Sequence, residues 1–387
     1  MKKTNPFLGI FLLVIAGCGG RKQSTDDFIT VDVTKNYPKK ELILQDFMDV
    51  EYIPLETNGG FLCQGIVQAI GKEMILVKNN IRDGDIFIFD RNGKGLRKIN
   101  RMGQGPEEYI NITNIILDED NGEIFVNDDV QIKRIQVYDL FGKFKRSIKH
   151  KEGALYDKMY NYDNDHLICH DRLADDGQIF SIISKKDGST TNEMQIAVNK
   201  EKKSSTITIV QQNGKFIMGV GLFYNSMILY QNNWILTEHS SDTVYRYLPD
   251  GSISPIMLRV PSIRTMNPEV FLFPCILTDR YYFMQKFTQG NDEGYTTSEL
   301  VYDKLEKTIC ESIVYNGNYL NKSQVSMMPL SMMQEIANNE VAFWRKIEAY
   351  QLIEANEKGY LTGQLKEIAA KLDEEDNPVI MLVKYKK

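Results

Sequence analysis

Histidine, cysteine and tryptophan are scarce in this chain of 387 residues, at four, five and two. So few histidines leave little material for a metal centre or for imidazole catalysis. The cysteines are far apart and match neither a zinc-binding spacing nor a compact disulfide framework. No GxSxG, HExxH, SxxK or CxxC is present, and no phosphate-binding glycine motif, so the common hydrolase signatures fail and no cofactor is indicated. Long apolar runs are absent too. The longest, residues 7–16, is about half the roughly 20 residues that a bilayer-spanning helix needs. Positive charge is not gathered into a stripe. With 52 acidic residues against 46 basic ones the formal charge is −6, which makes nucleic acid a poor partner.

What is present begins with a targeting segment. Lys2 and Lys3 precede the apolar run, which ends in Ile15-Ala16-Gly17-Cys18. Charged start, short apolar centre and small residues form a secretory signal, and small residues just before a cysteine form a lipobox. The expectation is a signal peptide over 1–17, lipidation at Cys18 and a polar tether over 18–27. Acyl chains would then hold the protein to a membrane, at about 0.8 kcal/mol per buried methylene. Cys63, Cys169, Cys275 and Cys310 remain. They are expected to be mostly free and buried, with a Cys275–Cys310 pairing as the alternative.

From residue 28 onward the chain reads as strands. The clearest stretch is Met102–Ile148, where the loop GQGPEEY leads into apolar runs at 112–118, 123–128 and 134–138, then a turn at Gly142 and a last strand ending at Ile148. That is one four-stranded antiparallel sheet. A copy precedes it (66–70, 74–77, 85–89, 96–99) and three rougher ones follow: 166–169, 179–183 and 193–198; then 226–230, 234–238, 243–247 and 256–260; then 275–277, 281–286, 299–302 and 308–314. A polar connection, 199–214, separates the third copy from the fourth. Turn glycines at 93, 142, 188 and 251 are 49, 46 and 63 residues apart. Four strands every 40–50 residues describe a β-propeller blade. A sixth blade is expected from the termini, with DVEYIPLET (49–57) as a proline-bearing edge strand beside the terminal NPVIMLVKY (377–385). The fold expected is therefore an all-β six-bladed β-propeller over 28–387. Apolar residues at helical spacing over 331–354 (Ile336, Phe343, Trp344, Ile347, Tyr350) and 361–372 predict a helical insertion within about 331–375.

DVEYIPLET, GQGPEEY, the repeated strand–Asp–turn–Gly-Lys units and the terminal EEDNPVIMLVKYK resemble the six-bladed β-propeller lipoproteins of Bacteroidetes, which are distantly similar to NHL-repeat proteins. The resemblance covers the chain from about Asp46 onward. It implies a lipid-anchored ring in the cell envelope, at the outer membrane with the periplasmic face favoured. It implies no settled activity and no catalytic residues.

Candidate chemistry is thin. GQGPEEY lacks the lysine and helix start of a phosphate loop, and reads as an inter-blade crossing with glycines at positive φ and Tyr109 packed between blades. His166 and His170 lie four apart on a strand, roughly 13 Å along it, too far to share a metal. Met327–Met333 reads as apolar filler where the helices meet the disc. Asp128, Asp171 and His239 each follow the second strand of a repeat, so they are expected to ring one mouth of the channel as ligand contacts. The leading expectation is a binding module for a protein or small-molecule ligand, without evident catalysis. A channel-mouth hydrolase or lyase, and a structural subunit of an envelope complex, are the alternatives.

Overall fold

The computed structural model describes residues 28–79, 83–128, 133–174, 177–198, 207–212, 215–221, 224–290, 295–328 and 339–386. The expected signal peptide and tether, with Cys18, lie outside them. In chain order the first elements are β1 (Ile29–Asp32), β2 (Lys39–Ile43), a one-turn α1 (Leu44–Phe47) and β3 (Met48–Pro54). Blade one holds β4 (Ile66–Ile70), β5 (Met74–Lys78), β6 (Asp85–Asp90) and β7 (Gly95–Asn100). Blade two holds β8 (Asn114–Asp118), β9 (Glu123–Asp128), β10 (Arg134–Asp139) and β11 (Phe144–Lys149). Blade three is β12 (Tyr156–Asn161), β13 (His166–Asp171), β14 (Phe180–Ser184) and β15 (Thr190–Met194), and is followed by a hairpin, β16 (Ile207–Gln212) and β17 (Lys215–Gly221). Blade four is β18 (Met227–Tyr230), β19 (Asn233–Leu236), β20 (Thr243–Tyr247) and β21 (Ile253–Val260); blade five is β22 (Val270–Leu277), β23 (Tyr281–Gln289), β24 (Tyr295–Asp303) and β25 (Thr308–Tyr315). The chain ends with β26 (Val341–Ile347), α2 (Ala349–Glu357), α3 (Gly363–Ala369) and β27 (Val379–Tyr385).

Each blade is an antiparallel meander, and first strands of neighbouring blades lie side by side where β8 meets β4 and β12, β22 meets β18 and β26 meets β4. The ring closes as expected. β27 pairs antiparallel with β26 on one side and with β3 on the other, in register from Val379 opposite Pro54 to Tyr385 opposite Met48. Before reaching that seam the N-terminal segment adds a fifth strand to two other blades, β1 parallel to β21 and β2 parallel to β25. The result is a six-bladed β-propeller.

Alternating strands bury one face against each neighbouring blade, so every seam carries an apolar cluster. Ile86, Ile88, Tyr109 and Ile124 fill the seam between blades one and two. Ile135, Val137, Met159 and Leu167 fill the next, and Trp234, Leu236, Phe180 and Ile182 the one after. β1 contributes Ile29 and Val31 to the seam between blades four and five. Ile53, Val67, Trp344 and Ile380 close the ring. In the seam between blades five and six Met327 packs with Leu352, Leu361 and Leu365 of the helical region, which fits its reading as filler.

Three expectations need correction. Residues 341–347 are strand, not helix. Val341, Phe343 and Trp344 are β-branched or aromatic and suit a pleated, half-buried surface, while three-and-four spacing over seven residues fits either structure. The helices are confined to 349–357 and 363–369, and 329–338 lie outside the described residues. Blade three has an inner strand at 156–161 that was missed because Asp157 and Lys158 break its apolar run, and its outer strand is 190–194 rather than 193–198. The connection at 199–214 overlaps the β16–β17 hairpin, which accounts for the 63-residue step to Gly251.

GQGPEEY is a crossing, with one difference. Tyr109 is fully buried, donates its hydroxyl to Gly84 O at 2.6 Å and meets Tyr138 edge-on. Gly103 and Gly105 do not have positive φ. They leave room for the Glu108 carboxylate instead: a Cβ on Gly103 would fall 1.9 Å from it and push it aside, and that carboxylate accepts from Gly105 N. The four cysteines are free and buried.

Polar staples cross the seams where strands turn. Lys185, buried in a turn of blade three, contacts Asp118 Oδ2 of blade two at 2.5 Å and donates also to Asp163 O. Removing one member of a buried pair strands the other charge, at a cost of about 3–5 kcal/mol. Lys185→Met should therefore lower the melting temperature clearly, and Lys185→Met/Asp118→Leu should recover most of the loss; equal melting of wild type and single variant would show that the pair contributes nothing.

Candidate ligand-binding site

At the end of the ring where each blade hands over to the next, four titratable side chains from blades three and four meet. The inner strand β12 carries a bulge between Tyr156 and Lys158 opposite β13. A bulge re-aims its extra residue, here Asp157. The Asp157 carboxylate sits 2.6 Å from His170 Nδ1. On the other side His170 Nε2 is 3.6 Å from Glu238 Oε2, an ionic contact longer than a hydrogen bond. Glu238 Oε1 is 2.6 Å from His239 Nδ1, and Tyr224 donates its hydroxyl to Glu238 Oε2 at 3.2 Å. Glu238, His239 and His170 are only 2%, 7% and 6% exposed.

The electrostatics follow from that enclosure. Burial alone would push the His170 imidazolium down. The charge and hydrogen bond of Asp157, then Glu238, outweigh burial and raise it to about 10. Burial likewise favours a neutral Glu238, yet His170 and His239 hold its carboxyl well below the usual range. Asp157 is lowered too, burial being outweighed by His170. Burial, then the charge of Glu238, pushes the Tyr224 hydroxyl up. The cluster is thus an imidazolium between two carboxylates, with a neutral phenol at its edge.

Beside it stands an aromatic platform from blade five. The Tyr224 ring stacks on Phe273 with centroids 4.4 Å apart and planes at 14°. Phe273 meets Phe287 edge-on, and Tyr295 closes against both Phe271 and Phe287. Phe271, Phe273 and Phe287 are buried, and Tyr224 and Tyr295 are partly buried against them. A charged group set against stacked rings offers a ligand directional hydrogen bonds and a flat apolar wall. Among the described residues no group of three or more His, Cys, Asp or Glu is arranged to hold a metal ion.

Of the residues singled out from sequence, His239 belongs to this cluster. Asp128 and Asp171 share its end of the ring but act on the backbone. Asp128 Oδ2 accepts from Ile110 N at 2.8 Å and Asp171 Oδ1 from Leu155 N at 2.9 Å, and Asn79 takes Gln64 N in the same way in blade one. Each ties the end of a second strand to the chain entering its own blade. His166 pairs with Asp163 in a turn, remote from His170 along β13. Asp157, Glu238 and Tyr224 were missed. The polar run Thr237–Ser240 directly after the apolar Trp234–Leu236 was the one available signal for Glu238; nothing in sequence announces the bulge that aims Asp157.

Fold and site together define a six-bladed propeller with a polar–aromatic mouth. The chain belongs to the 6-bladed beta-propeller family, whose model matches residues 20–338. Among solved structures it is similar to a Bacteroides fragilis protein described as exported, at 15% identity and a TM-score of 0.58, over 90% of this chain and 99% of that one. Virginiamycin B lyase from Staphylococcus aureus is similar at 10% identity and a TM-score of 0.36, over 70% and 94% of the two chains. A Bacteroides thetaiotaomicron protein of unknown function follows at 11% and 0.34, over 70% and 72%. At these identities the likeness concerns the fold alone. A search of curated proteins finds no match.

Two of the three buried histidines, His150 and His170, should titrate in opposite senses. Burial, then the nearby Lys133 charge, pushes His150 down to about 4, while His170 stays protonated. The His170 value lies above the unfolded one, about 6.5. Its contribution to stability is therefore complete below about pH 6.5 and lost as pH rises toward 10. In nitrogen-15 NMR at pH 8, His170 should show two protonated ring nitrogens and His150 one; a neutral His170 at that pH would contradict the network.

Proposed function

We propose that the protein is an exported, lipid-anchored propeller that binds a ligand at the His170–Glu238–Tyr224 mouth. One observation carries the reading. Charges that are expensive to bury are gathered from two blades beside an aromatic cluster built on blade five, at the end of the ring where the connecting loops lie. The anchor rests on the sequence: a short apolar run, small residues, then Cys18. No helix among the described residues is long and apolar enough to cross a membrane. The resemblance of sequence favours the outer membrane, facing the periplasm.

The same groups would serve a hydrolase or lyase, with Tyr224 as proton donor and Glu238 as acceptor. Binding is favoured because the neighbouring His170 and His239 hold the Glu238 carboxyl well below its usual range, which leaves it a weak base.

Two experiments test the proposal. A ligand found by thermal-shift screening of envelope glycans and peptides should bind Glu238→Gln and Phe273→Ala at least tenfold more weakly, with both variants folded by circular dichroism. Undiminished affinity in both would place binding elsewhere, and conversion of the ligand into product would establish the enzyme reading instead. Cells fed an alkyne fatty acid should label the wild type and not Cys18→Ala; label persisting in the variant would remove the anchor.

A further inference from the structure

Along the sequence the basic residues look dispersed, but the ring brings two runs together. Residues 91–101 hold Arg91, Lys94, Arg97, Lys98 and Arg101 with no acidic residue, and 143–151 hold Lys143, Lys145, Arg146, Lys149 and Lys151, again with none. The first run spans β7 and the second β11, the outermost strands of blades one and two. Direct contacts join them across the seam. The Arg97 guanidinium lies over the Phe141 ring, 4.3 Å from its centroid, and donates to Leu140 O, while Arg101 Nε donates to Gly142 O. Lys98 pairs with Asp85, Lys145 and Arg146 with Glu123, and Lys151 with Glu193, so the positive surface of this rim rests mainly on the exposed Lys94, Lys143 and Lys149.

Two further features accompany the charge. Phe141 is 76% exposed and Leu96 42%, so large apolar side chains stand among the lysines. The outer edges of β7 and β11 also pair with no strand among the described residues. In blades four and five the corresponding edges are covered by β1 and β2. Lysine on an open edge can simply discourage edge-to-edge association. That role does not call for exposed Phe141 and Leu96 beside it.

The molecule itself shows what such an edge accepts. The first two residues of β2 are lysines laid against acidic residues of blade five. Lys39 lies in register with Glu311, and Lys40 Nζ is 2.9 Å from both Asp303 Oδ2 and Glu306 Oε2. On blades one and two the charges are reversed. We propose that the open edges of β7 and β11 take up an extended acidic segment of a partner protein, added as a further strand, with Phe141 and Leu96 receiving its apolar side chains. Backbone hydrogen bonds would supply affinity and charge would select the partner.

A dye-labelled peptide of alternating glutamate and valine is the probe, with full-length protein and fluorescence anisotropy as the readout. Wild type should bind at low ionic strength and weaken as salt screens the lysines. Lys94→Glu/Lys143→Glu/Lys149→Glu, all exposed positions, should bind at least tenfold more weakly with an unchanged circular dichroism spectrum. The peptide N-methylated at alternate residues, which cannot pair as a strand, should not bind. Equal binding by the triple variant overturns the proposal. So does equal binding of the methylated peptide, which would reduce the effect to bulk charge, and so does binding to phosphatidylglycerol vesicles in place of the peptide, which would make the rim a lipid surface.

Discussion

Everything in this ring depends on the hydrogen bonding of β3 to β27. A propeller is a set of small sheets, each held by its neighbours, and a row of such sheets has two bare ends. Joining the first part of the chain to the last in one blade turns the row into a ring and removes both ends at once. The cost is entropic, because segments more than 300 residues apart must meet, but that cost grows only logarithmically with loop length. Seven paired residues and apolar clusters on both faces of the sixth blade oppose it. β1 and β2 spread the joint further, since the segment that closes the ring is first laid across blades four and five.

Within the closed ring apolar and polar contacts divide the labour by position. Seams are filled by aliphatic and aromatic side chains from facing sheets. Ends of strands, where backbone groups leave the ladder, are tied by carboxylates and amides. Asn79, Asp128 and Asp171 take backbone N–H groups at one end, and Glu119 takes those of Lys72, Glu73 and Met74 at the other. Unpaired buried backbone groups are costly, which is why acidic residues gather in turns without implying catalysis. The His170–Glu238 cluster differs in kind: its charges engage one another rather than the backbone of a crossing.

Irregularity of the inner strands makes that difference possible. β4, β12, β22 and β26 each carry a one-residue bulge, at Gln68, Asp157, Cys275 and Ala342. Only the bulge in β12 presents a carboxylate, and only there does the neighbouring blade answer with Glu238 and His239. The aromatic platform arises in the same local way. β22 is buried along its whole length, and it sets Phe273 against Tyr224 and Phe271 against Tyr295.

Fold class, blade period, turn glycines and the pairing of the two ends could all be read in the chain, because alternation and turn chemistry act over a few residues and repeat. The role of Tyr109 was legible for the same reason. The helix expected over 341–347 was not, since its aromatic residues suit either structure and the choice was made by the free edge of β27. The site was legible only at His239 and, as half of another pair, at His170. Asp157, Glu238 and Tyr224 come from three separate stretches, and a bulge, a loop and a crossing aim them at one point. The basic rim likewise exists only once blades one and two stand side by side. Local pattern therefore settled the architecture, while proximity of distant residues, which only ring closure creates, settled where charge and chemistry are concentrated.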